Sequence, residues 1–88
     1  MHIPSNILAN ELKKAAEKVK VGGFYYHYKK PGDAYKVLNL AITEWDDKVC
    51  VIYEAQYGDR IVFVRPLETW LDEVEWENKT VKHFTFIK

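Results

Sequence analysis

Two periodicities divide the chain. From Ile7 to Val19, apolar residues fall at Leu8, Leu12, Ala15, Ala16 and Val19, a spacing of three and four that lines one face of a helix. Lys13, Lys14, Glu17 and Lys18 take the other face. Ser5 or Asn6 can cap the start, and Gly22-Gly23 stops the run. After Gly23 the period falls to two. Phe24 to Lys29 is dense in aromatics, which favour strands. Lys30-Pro31-Gly32-Asp33 signals a turn. Ala34 to Thr43 predicts a second strand, with Tyr35, Val37 and Asn39 on one side and Lys36, Leu38 and Leu40 on the other. Trp45 to Lys48 turns the chain into Val49 to Gln56, the most apolar strand. Tyr57-Gly58-Asp59 leads into Arg60 to Arg65, and Pro66, which donates no ladder hydrogen bond, ends that strand. A helical turn over Glu68 to Leu71, an alternating strand over Asp72 to Glu77, a turn at Asn78-Lys79 and a last extended segment from Val81 to Ile87 complete the pattern.

Five or six short strands at even spacing predict a mainly β fold, a small antiparallel barrel with one amphipathic N-terminal helix packed over it. The 88 residues suffice for a single domain, with residues 1–22 as a helical extension and 23–88 as the barrel. Thirteen basic and thirteen acidic side chains cancel, which argues against general nucleic-acid affinity, since that requires surplus Lys and Arg to displace counterions. The charge is polarised, however. Seven lysines and two acids lie between Lys13 and Lys36, and five acids with no base between Glu68 and Glu77. Such poles suit a solvated surface, a charged ligand or self-association with a second copy. The lone Cys50 lies in an apolar run and reads as a buried structural thiol, which fits a reducing compartment. No apolar run approaches the ~20 residues that span a bilayer. Pro4, Ser5, Asn6 and Asn10 interrupt any apolar leader, so the expected location is cytoplasmic.

The stretches Gly23-Phe24-Tyr25-Tyr26-His27-Tyr28-Lys29, Tyr35-Lys36-Val37, Val51-Ile52-Tyr53 to Tyr57-Gly58, Val62-Phe63-Val64-Arg65-Pro66-Leu67 and Phe84 resemble bacterial domain-of-unknown-function family 1653. The resemblance runs from Gly23 to Phe84 and implies an SH3-like barrel, with the first helix added to it. It implies no activity. This chain has Phe63 where the family often has Trp, and Lys82-His83 where it often has Pro-Arg. A ligand served by that arginine in the family would be bound differently here or not at all.

A small barrel needs bulky fillers, so many of the thirteen aromatics are core; the excess of Tyr over Phe suggests that some tyrosines line a surface groove, using both ring and hydroxyl. SH3-like barrels offer such grooves to extended peptides. The candidate ligand-binding residues are Tyr25, His27, Tyr28, Tyr57, Arg65 and Trp70. His27 is either a hydrogen-bonding residue of the core or a ligand contact. Arg65 either pairs with an acid such as Glu68 or offers a fork to a carboxylate or phosphate. Trp70 is either a core plug or, like Trp76 beside its acids, a platform for a cation. No nucleophile and base stand at a recognisable spacing, so no catalytic residue is named. His2, His27, His83 and Cys50 do not form a ligand set, so no metal or cofactor is expected. These residues predict a non-enzymatic module that binds a protein or peptide. The alternative is a small anionic, nucleotide-like ligand, and a further one is single-stranded nucleic acid.

Overall fold

The computed structural model describes residues 3–88. A 14-residue helix, α1 (Ser5–Lys18), is followed by four strands: β1 (Phe24–His27), β2 (Lys30–Thr43), β3 (Lys48–Ala55) and β4 (Val62–Pro66). A single helical turn, α2 (Leu67–Leu71), leads to β5 (Glu73–Trp76), β6 (Lys79–Lys82) and β7 (Phe84–Phe86). The main sheet is antiparallel in the order β4-β3-β2-β1-β7, and β5 and β6 form a separate ribbon. The mainly β fold with its N-terminal helix is therefore as the patterning predicts, but with seven strands in two sheets among the described residues. Among the described residues no ladder joins β4 to β7, so both are edges of the main sheet. None of the described helices is long and apolar enough to cross a membrane.

Leu12, Ala15 and Val19 carry the contact face of α1, while Ala16 stays exposed. They meet Tyr25, Val37, Leu40, Val51, Tyr53, Trp70 and Phe84 in one core. Neither Ser5 nor Asn6 caps the helix with its side chain. Pro4 precedes the first turn instead, and its carbonyl accepts from the amides of Ile7 (3.0 Å) and Leu8 (3.1 Å). The helix leaves through Gly22, whose φ of 85° suits glycine. A Cβ on Gly23 would stand 3.0 Å from both the Lys20 carbonyl and the Phe86 ring.

Four local departures shape the fold around the site. Leu38 sits in a β-bulge: Val37 pairs with Tyr53, and the next partners are Asn39 and Ile52. The extra residue switches faces, so Leu40, not Asn39, joins Tyr35 and Val37 in the interior. Lys30 to Asp33 do not form the hairpin turn. That turn is Tyr28-Lys29, and the register jumps from Tyr26↔Ala34 to His27↔Lys30, leaving Pro31, Gly32 and Asp33 unpaired within β2. The expected last strand is broken at His83, between β6 and β7. The His83 amide donates to the Asp72 carbonyl (3.1 Å), and its own carbonyl accepts from the Tyr28 amide (3.1 Å). The β5-β6 turn falls on Glu77 and Asn78, both at positive φ, one residue earlier than expected and as a type I′ hairpin requires.

Candidate functional site

The break at His83 builds the site. With β7 paired to β1, His27 stands opposite Phe84, and the Tyr28 amide bonds to His83. The β5-β6 ribbon then brings Trp76 to Tyr28, with ring centroids 5.2 Å apart. From the far edge, Arg65 of β4 lays its guanidinium 5.2 Å from the Phe84 ring centroid.

The hydrogen bonds around the two histidines fix their tautomers. The Lys29 amide donates to His27 Nδ1 (3.1 Å). An amide can only donate, so Nδ1 is an acceptor and the neutral ring carries its proton on Nε2. That N–H points at His83 Nε2, 3.1 Å away. His83 Nε2 is therefore an acceptor, its Nδ1 carries the proton, and Nδ1 donates to Asp72 Oδ1 at 2.7 Å. Arg65 Nη1 approaches the same His83 Nε2 at 3.4 Å. A one-way chain results, from the Lys29 amide through His27 and His83 to the Asp72 carboxylate. Burial pushes the His27 pKa below its ordinary value, and His83, Arg65 and Lys29 push it further. Protonating His27 would also cost it the Lys29 amide.

This arrangement is poorly suited to base catalysis. The His83 lone pair already accepts from His27, and among the described residues no serine, threonine or cysteine is hydrogen-bonded to either ring. It is suited to holding an anion. Arg65 has no carboxylate within ion-pair distance among the described residues, and the pairing with Glu68 does not form. Lys29 adds a second positive charge, with its ammonium 5.8 Å from the Tyr28 ring centroid.

The six sequence-predicted residues divide. His27, Tyr28 and Arg65 come together, with Tyr28 stacked on His27 at 4.5 Å. Tyr57 is exposed and meets Tyr35 hydroxyl to hydroxyl at 2.6 Å, and the Tyr35 ring stands 6.0 Å from Phe84. Burial, then the bond to Tyr57, holds the Tyr35 phenol well above its usual pKa. Tyr25 and Trp70 do not line the face. They are 6% and 2% exposed and pack edge to face at 5.3 Å. The Tyr25 hydroxyl is occupied by the Lys20 amide (2.9 Å), and Trp70 stacks on Phe84 at 3.9 Å. Sequence reasoning missed Asp72, His83 and Phe84 as members of the site. Its one usable signal was the Lys82-His83 departure from the family pattern.

Residues 23–86 match the family model described as a protein of unknown function, DUF1653. The chain belongs to the DUF1653 family. A crystal structure of a DUF1653 protein from Bordetella bronchiseptica is similar to it, with 31% identity and a TM-score of 0.66 over 75% of this chain and 85% of that one. No curated protein matches the chain. Every residue of the His–Arg face lies inside the family match, and α1 precedes it.

Proposed function

We propose that this DUF1653 domain is a non-enzymatic binding module that takes a small anionic, ring-bearing ligand on the face around Arg65. The observation that carries this reading is the half-buried Arg65, held over Phe84 and beside His83 without an acidic partner among the described residues. A guanidinium so placed offers its remaining donors to a carboxylate or phosphate in fork geometry. Tyr28, Trp76 and the exposed Tyr57 supply flat surfaces for a ring. The zero net charge favours a compact anion over a nucleic-acid strand.

Thermal-shift titration against a panel of nucleoside monophosphates, nucleoside diphosphates and aromatic carboxylates tests this. A ligand at a hundredfold excess over its Kd stabilises the native state by about 2.7 kcal/mol. The melting temperature should therefore rise by several degrees with at least one class, and the rise should vanish in Arg65→Ala. A flat response across the panel, or a shift that Arg65→Ala preserves, overturns the reading.

A further inference from the structure

We infer that the groove between α1, the turn at residues 44–47 and the start of α2 docks a partner protein through a segment presenting an apolar anchor flanked by lysine or arginine. The groove encloses about 720 Å³ and is walled by Ile7, Leu8, Val49, Val64 and Leu67, with Trp45 at its lip. These residues are not saturated by the fold. Trp45 is 83% exposed, Val64 62% and Ile7 48%. Contiguous apolar surface of this kind on a small domain marks an interaction site.

The rim selects the occupant. Among the described residues, Glu11, Asp46, Asp47 and Glu68 border the groove against the single Lys48. Glu11 also meets Lys14 at 3.9 Å. The negative field reaches inward: the Cys50 thiol on the groove wall is pushed up in pKa by burial and then by Asp46. An acidic rim repels phosphate backbones and anionic lipid surfaces. It also repels the same face of a second copy, which would set like charges opposite one another. A cationic segment gains from the rim in encounter rate and specificity, its anchor fills the apolar floor, and the open Trp45 ring accepts a guanidinium or ammonium on its face. This site is separate from the Arg65 face, and the two stand or fall independently.

Selection of a random-peptide library on the immobilised full chain tests the inference. The enriched peptides should pair an aromatic or leucine anchor with at least two basic residues. Their affinity should fall by about tenfold or more on Trp45→Ala, as for loss of an interface anchor, and on the double change Glu11→Lys, Glu68→Lys. It should weaken with added salt. Trp45 is too exposed for its truncation to unfold the domain, and circular dichroism checks this. Three outcomes overturn the inference: no enrichment, acidic or uncharged consensus peptides, or binding indifferent to Trp45→Ala. So does concentration-dependent sedimentation of the wild-type chain that Trp45→Ala abolishes, because the occupant is then a second copy.

Discussion

The Arg65 face and the Trp45 groove share one strand, yet they are built on different principles. β4 supplies Arg65 to the first and Val64 to the second, because successive strand residues point to opposite faces. On the Arg65 face, directional bonds set the positions of both histidines and the guanidinium. At the groove, apolar walls and unpaired ring surface dominate, and charge acts only from the rim. The first can discriminate by geometry. The second can accommodate any segment of suitable size and sign. One strand can therefore serve a rigid, selective surface and an adaptable one, because alternation separates their chemistry.

The comparison breaks most severely at Phe84. This ring floors the Arg65 face and also stacks on Trp70 in the core. Phe84→Ala should cost about 3–5 kcal/mol, lowering the melting temperature by more than ~10 °C and scattering Arg65 and the histidines. Thermal unfolding followed by circular dichroism measures it. Asp72→Asn is milder. It replaces the charged acceptor that holds the His83 tautomer with a neutral amide, which weakens that hydrogen bond and should cost about 1 kcal/mol. Its diagnostic sign is a changed ¹⁵N shift pattern at both rings while the Ile7 and Val64 methyl signals stay in place. The pH dependence sharpens the contrast further. His27 has a lowered pKa in the fold, so as pH falls the unfolded chain takes up the proton first. Its contribution to stability is present above about pH 6.5, the ordinary imidazole value, and is lost as pH drops toward the folded value. Unfolding midpoints should decline through that window, and His27→Gln should flatten the decline. Trp45→Ala marks the small end. With the ring 83% exposed, stability should move by no more than about 0.5 kcal/mol, and Tm measurements should barely separate it from wild type.

The sequence announced the regular parts of this molecule. The three-four spacing of Leu8, Leu12, Ala15 and Val19 places α1, the apolar run places β3, and Pro66 closes β4. Patterning failed where two neighbouring positions were equally apolar. Leu38 and Leu40 give no hint of the bulge that puts one outside and the other inside. The final strand failed for another reason. Its break rests on the bonds of His83 to Asp72 and Tyr28, contacts between distant residues with no local signature. The site was half legible: His27, Tyr28, Tyr57 and Arg65 stood out as chemistry-bearing side chains. Tyr25 and Trp70 stood out for the same reason but are consumed by the core, because composition cannot tell a ring that fills volume from one that meets solvent.

The Arg65–Phe84 contact carries one more consequence. It fastens the two outer strands of the main sheet across a seam that no backbone pairing among the described residues stitches. Whatever grips the guanidinium therefore also draws on the clasp of the fold. Occupancy should be readable as a slowing of amide exchange along β4 and β7, even in strand residues that the ligand never reaches.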